Sequence, residues 1–293
     1  MLETQSALTL QTLLASYPNT AALKSGALQS PIVNFAFEDV KVANKAFKTL
    51  VRDQKFDLGE LAIVTFLQAK AFGKPYVLLP AVVVARGQHH TIFYNQKYGQ
   101  LAPGDLEGRR VGVRAYTQTT GTWVRGFLEE EHGIDFKRVH WVTFEDPHVA
   151  EYRDPPWVER APAGKQLLQM LLDGELDAAI FGSENPEGLA QLIPDAELVA
   201  ERWAGRHGGV PINHMMVVKE SVTESRPDVV QEVYRLLKES ASRAPSPNRA
   251  LRFGVEPVRK SLETVIEYAE RQGLLPKRLE VDELFNEVTR SLM

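Results

Sequence analysis

No cysteine occurs among the 293 residues. This excludes a thiolate nucleophile, disulfides and sulfur-ligated zinc or iron–sulfur centres. An excess of one charge is missing too. The 34 basic and 38 acidic side chains leave a formal net charge of −4, so no global field attracts nucleic acid or an anionic membrane, and any anion site must be local. No run of about 18 apolar residues is present, so membrane insertion is not expected. The opening stretch MLETQSALTLQTLLASYPNT lacks the basic region followed by an apolar stretch that secretion needs, with Glu3 where a Lys or Arg would stand. A cytoplasmic protein is the expectation, or a periplasmic one if a leader has been trimmed.

Several chemical signatures are also absent. Gly112 and Gly121 do not form the Gly-x-Gly-x-x-Gly dinucleotide fingerprint, and there is no Gly-x-Ser-x-Gly hydrolase elbow. His89, His90, His214 and Glu60 would be the residues to hold a metal, but no His-x-x-x-His or His-x-His spacing supports one. No metal and no cofactor is expected.

What is present is an α/β pattern of ordinary composition, long enough for two lobes. Strands are expected at Leu8–Leu13, Ile32–Phe37, Tyr76–Val84, Thr91–Tyr94, Arg110–Arg114, Val139–Thr143, Ala178–Phe181 and His214–Val218. Helices are expected at Val42–Arg52, Glu60–Phe72, Thr119–His132, Gly164–Leu172, Pro227–Ser242, Val258–Gln272 and Val281–Ser291. Gly, Pro and Asp crowd into 99-GQLAPGDLEG-108 and 204-AGRHGGVP-211. These loops suggest an inserted second lobe at 109–205 and a discontinuous first lobe, 1–98 plus 212–293, with hinge crossings at 99–108 and 206–211. A ligand would then lie in the cleft between lobes.

Three segments end an expected strand in a polar cluster: 56-FDLGEL-61, 85-ARGQHH-90 and 109-RRVGVRAYTQTTGTW-123. In open α/β proteins, ligands gather beyond the carboxyl ends of strands. Thr119 and Thr120 open a helix whose free N–H groups favour a carboxylate or phosphate, while Arg114 is either a second anion contact or a solvated side chain. Arg86 could fork onto a carboxylate or close a rim salt bridge. Of His89 and His90, a strand would turn only one inward, and His89 is preferred. Glu60 reads as a helix-start carboxylate, a ligand contact, or both. His214, Ser183 and Glu184 also follow strand or hinge positions, each as a ligand contact or as a core or capping residue.

The order FDLGEL, KPYVLLPAVVVARGQHHTIFYN and DLEGRRVGVRAYTQTTGTWVRGFLEEEHGI resembles the 4,5-dihydroxyphthalate decarboxylase family. WVTFED at 141–146, GELDAAIFG at 174–182, VPINHMMVV at 210–218 and ERQGLLPKRLEVDELF at 270–285 extend the resemblance over most of the chain. It implies a two-lobed, periplasmic-binding-protein type II-like clamshell with mixed sheets flanked by helices. Departures occur at Arg114-Ala115-Tyr116, where the family commonly has a Pro-Glu-Tyr turn, and at Gly59, where it tends to have Ser.

The resemblance further implies cofactor-free decarboxylation of a hydroxylated aromatic carboxylate. A ring hydroxyl pushes electron density to the carbon bearing the carboxylate, that carbon is protonated, and carbon dioxide leaves. His214 or His89 would move the proton, and Glu60 would accept from a ring hydroxyl or orient a histidine. Arg86 and Arg114 would clamp carboxylates with the helix start at Thr119 and Thr120, and Tyr116 and Trp123 would stack on the ring. The competing reading is a solute-binding protein handing a small organic anion to the permease of an ABC-type transporter. A third is a ligand sensor, although no DNA-binding extension is apparent. A homo-oligomer is compatible with all three.

Overall fold

The structure, a computed structural model, describes residues 6–182, 186–246 and 248–293. The chain divides into two compact units, each built on its own sheet. Unit 1 comprises Met1–Ala85, Ile212–Glu263 and Leu279–Met293, and unit 2 comprises Arg86–Pro211 and Thr264–Arg278.

The sheet of unit 1 has five strands: β1 (Leu8–Leu13), β2 (Val33–Phe37), β3 (Leu58–Ala62), β4 (Tyr76–Ala85) and β11 (Ile212–Lys219). They lie in the order β2-β1-β3-β11-β4, with β1 parallel to β2 and β3, and β11 antiparallel to β3 and β4. Strand β3, in the middle of the sheet, is buried along its length, and β4, although it ends the strand order, is a nearly continuous apolar run buried at all but one position. The helices of this unit are α1 (Ala21–Lys24), α2 (Phe47–Asp53), α3 (Ile63–Ala71), α7 (Glu220–Ser225), α8 (Pro227–Ser242) and α10 (Glu287–Arg290). Helix α8 shows why such a segment folds as it does. Pro227 opens it, Asp228 sits in the positive first turn, and Val229, Val230, Val233, Tyr234, Leu236 and Leu237 recur on one buried face. That face joins the core of Leu10, Leu58, Leu79 and Met216, where each buried Val or Leu is worth roughly 1.5–3 kcal/mol over exposure.

The sheet of unit 2 has six strands: β5 (Ile92–Tyr94), β6 (Arg110–Val113), β7 (His140–Thr143), β8 (Val158–Arg160), β9 (Ala178–Ile180) and β10 (Ala190–Gln191). Their order is β10-β5-β9-β6-β7-β8, parallel from β9 to β8 and antiparallel at β5 and β10. Around it are α4 (Thr119–His132), α5 (Leu167–Leu172) and α6 (Ala196–His207). Helix α9 (Val255–Arg271) belongs to unit 1 up to Glu263 and to unit 2 from Thr264. Gly133, in the left-handed conformation at φ 66°, stops α4; its N–H and that of Ile134 take up the Glu129 and Leu128 carbonyls.

The expected elements need several revisions, among them the helix expected at Val281–Ser291, which is a 3-10 turn at Val281–Leu284 and a short helix at Glu287–Arg290. The helix expected at Glu60–Phe72 is strand β3 followed by α3, so Glu60 stands inside a sheet and not at a helix start. The loop expected from 204 is helix as far as His207. The outbound boundary lies at Ala85/Arg86 rather than at 99–108, because β5 already pairs with β9, and residues 264–278 join unit 2 rather than the first lobe.

Candidate active site

Glu60 and His214 are brought together by strand register. On the antiparallel pair β3–β11, Glu60 lies opposite Met216 and His214 opposite Ala62, which makes Glu60 and His214 diagonal neighbours on one face. His214 Nδ1 lies 2.5 Å from Glu60 Oε1. The same oxygen accepts from Tyr17 Oη at 2.6 Å, and Oε2 accepts from the Ala15 N–H at 3.0 Å. Glu60 is fully buried. Burial alone would raise its pKa, but the bonds and charge of His214, the Tyr17 hydroxyl and the Ala15 N–H outweigh that and hold it below the ordinary carboxylate value. Glu60 is therefore an anion at neutral pH. An ionised carboxylate only accepts, so Nδ1 of His214 carries the proton of this bond.

The Tyr17 hydroxyl is driven the other way, by burial first and then by the Glu60 charge and bond, and stays protonated. Its loop is tied down locally: the Tyr17 N–H donates to Thr20 Oγ1 at 2.9 Å, and the Thr20 hydroxyl donates to the Ala15 carbonyl at 2.9 Å. The His214 side chain is 21% exposed and meets Phe47 edge-on at 5.4 Å between ring centroids. With Nδ1 committed to Glu60, Nε2 is the ring atom left for proton exchange.

The unit 2 candidates fall into different surroundings. His89 is fully buried in a 3-10 turn, not a strand, with its ring stacked on Phe127 at 3.9 Å and Nε2 3.2 Å from Glu131 Oε2. Burial pushes its pKa down to about 4 against the opposing pull of Glu131, so His89 is neutral and donates through Nε2. His90 is also pushed down, by burial and by Arg86. The Arg86 guanidinium donates to the Gly182 carbonyl at 2.8 Å. Arg114 pairs with Glu145 at 3.0 Å, a partly exposed bridge. Thr119 and Thr120 open α4 as expected, and both are almost wholly buried.

Two ring-stacking expectations are revised. Trp123 has no exposed surface and packs against Trp203 and Tyr268, and Tyr116 accepts from Trp157 Nε1 at 2.9 Å while its ring faces Arg125. Both are core residues. Ser183 and Glu184 lie outside the described residues. Tyr17 and Arg125 were missed. Tyr17 sits in a plain Ser-Tyr-Pro-Asn turn 43 residues from Glu60, and Arg125 looks like any helix-surface charge; neither carries a local signal. Among the described residues no group of three or more His, Asp or Glu could hold a metal ion. Among them, too, no helix is long and apolar enough to cross a membrane.

No known protein-family profile matches the chain. It is 29% identical over 240 residues to 4,5-dihydroxyphthalate decarboxylase of Comamonas testosteroni, covering 76% of this chain and 71% of that protein. It is 32% identical over 167 residues to the protein of the same name from Pseudomonas putida, covering 52% of this chain and 64% of that one. Among solved structures it is similar to the alkanesulfonate-binding protein SsuA from Xanthomonas axonopodis pv. citri bound to MOPS (TM-score 0.60, 14% identity, 96% of this chain and 98% of that one). The desulfurization enzyme DSZB in complex with biphenyl-2-sulfinic acid is equally similar (TM-score 0.60, 17% identity, 96% and 97%). The chain is thus similar in sequence to two 4,5-dihydroxyphthalate decarboxylases, and it has the two-unit α/β fold of the periplasmic sulfonate-binding proteins.

Proposed function

We propose that this protein is a carboxy-lyase acting on a hydroxylated aromatic dicarboxylate of the 4,5-dihydroxyphthalate type. The observation that carries the reading is the Tyr17–Glu60–His214 set, found in a chain similar to two decarboxylases of that name. Protonating a ring carbon needs a group that can carry and give up a proton and a fixed anion to stabilise its charged form. His214 is the acid and Glu60 the anion. Nε2 delivers a proton to the carbon bearing the departing carboxylate, the bond from that carbon to the carboxylate breaks, and its electron pair returns to the ring as carbon dioxide leaves. A ring hydroxyl para to that carbon supplies the electron density.

The second reading, an anion-binding protein serving a transporter permease, draws on the likeness of fold to the sulfonate-binding proteins. The carboxy-lyase reading goes with a cytoplasmic protein and a place in aromatic catabolism, the transport reading with a periplasmic one. The test is purified protein with 4,5-dihydroxyphthalate, following carbon dioxide release and thermal shift together. Turnover that disappears in His214→Gln supports the carboxy-lyase. A thermal shift without turnover supports the binder and removes the enzyme assignment.

A further inference from the structure

Lys24 has no part in the chemistry above, yet its side chain ends on the peptide that holds Glu60. It closes α1, the short helix that follows the turn after β1. Leu23, the residue before it, is buried, and its N–H donates to the Ser240 hydroxyl of α8 at 3.2 Å. The lysine is thus anchored at its root. Its ammonium reaches back ten residues and donates to the Leu14 carbonyl at 2.5 Å. Nζ also lies 5.5 Å from the centroid of the Phe37 ring, close enough for the ring face to hold the cation.

The carbonyl of Leu14 and the N–H of Ala15 belong to one peptide unit. That N–H donates to Glu60 Oε2 at 3.0 Å, so an ammonium grips one side of the amide and a carboxylate the other. A trans peptide is planar, and its C=O and N–H point in opposite directions. Drawing electron density toward the carbonyl oxygen makes the N–H a stronger donor, and bonds in such a chain reinforce one another. Solvent screens this chain little, because Leu14, Ala15 and Glu60 are all buried. From the same turn, Tyr17 fixes Oε1 and the Thr20 hydroxyl holds the Ala15 carbonyl. All of these residues lie in unit 1.

We propose that Lys24 is a positioning residue for the Glu60–His214 pair, acting through the Leu14–Ala15 peptide. By polarising the amide it strengthens the bond to Oε2, and so fixes the carboxylate to which His214 Nδ1 donates at Oε1. Resting on the carboxy-lyase reading, this keeps the anion in place while the imidazole gives up its proton and takes up another. The Ala15 N–H is among the donors that hold Glu60 below the ordinary carboxylate value, so weakening that bond works against the anion.

The test compares wild type, Lys24→Met and Lys24→Arg as intact proteins, by NMR without substrate and by kinetics with 4,5-dihydroxyphthalate. In Lys24→Met the Ala15 amide proton should move upfield and exchange with solvent about tenfold faster, and in Lys24→Arg it should stay near wild type. With substrate, Lys24→Met should lower kcat about tenfold and change KM by less than about twofold, while Lys24→Arg keeps most of the rate. An unmoved Ala15 proton overturns the proposal. So does a loss that falls on KM, which would make Lys24 a ligand contact, or a Lys24→Arg no better than Lys24→Met, which would make its role one of packing. If Lys24→Met does not fold, wild type decides alone: its Lys24 ammonium should show a coupling across the hydrogen bond to the Leu14 carbonyl carbon, and no coupling overturns the proposal. The amide is read without turnover, so the two readings fail separately. A displaced Ala15 proton with no carbon dioxide release in wild type sinks the carboxy-lyase alone, and turnover with an unmoved Ala15 proton sinks the role of Lys24 alone.

Discussion

Unit 1 and unit 2 each hold a carboxylate bonded to an imidazole, with the burial reversed between them. In unit 1 the carboxylate of Glu60 is fully buried and held by three donors, while His214 keeps an exposed edge. In unit 2 the imidazole of His89 is fully buried against Phe127, while Glu131 keeps 12% of its side-chain surface and is shared with Arg206. The partner that is buried with enough hydrogen bonds becomes the fixed charge, and the one left near solvent can exchange protons. Buried in an apolar stack, an imidazole is kept neutral and serves as packing. The same two residue types thus leave an imidazole with an exposed edge in one unit and a buried, stacked imidazole in the other.

That contrast can be broken most severely at Glu60. Glu60→Gln keeps the shape but removes the anion, and turnover should fall by roughly 10²–10⁴-fold, whereas Glu131→Gln should leave turnover per folded molecule unchanged. Initial rates of carbon dioxide release check both. If the two variants lost activity equally, the division of roles would be wrong.

Stability should answer in the opposite sense. His89→Ala removes a stacked core ring and should cost about 3 kcal/mol in urea denaturation, with activity kept by the molecules that remain folded.

Acid sharpens the comparison further, because the two pairs are lost in different windows. Unfolded His89 takes up a proton near pH 6.5 and folded His89 only near 4, so its contribution is whole above 6.5 and drains away as pH falls between them, by up to about 3 kcal/mol. Glu60 has a folded pKa below 4.5, so its contribution is present above 4.5 and is lost only at lower pH. Denaturation midpoints from pH 7 to 4 should decline in wild type and flatten in His89→Gln. A parallel decline in both would assign the acid sensitivity to other groups. The smallest effect belongs to Arg206→Ala: its exposed bridge to Glu131 should be worth under about 1 kcal/mol.

The architecture was legible where local patterning and packing agree. Strand Leu8–Leu13 and helices Thr119–His132 and Pro227–Ser242 have the boundaries that periodicity and caps suggest. Reading failed at 58–71, where strand β3 runs straight into α3. Both are apolar on all sides, and a continuously buried run has no period by which to tell one from the other. Of the site, Glu60 and His214 were visible as candidates, but their bond depends on a register between strands separated by 154 residues. The turn at Thr119 and Thr120 was visible as a helix start; the burial of Arg125 was not, because a lone Arg six residues beyond a helix start reads as solvated.

By itself, then, the sequence determined the α/β alternation and the absence of thiol chemistry. These follow from residue type and short-range spacing, which the chain carries wherever it goes. Tertiary structure decided which histidine meets which carboxylate in which surroundings. Burial, and the proton affinity it governs, is a property of neighbours brought in from far along the chain.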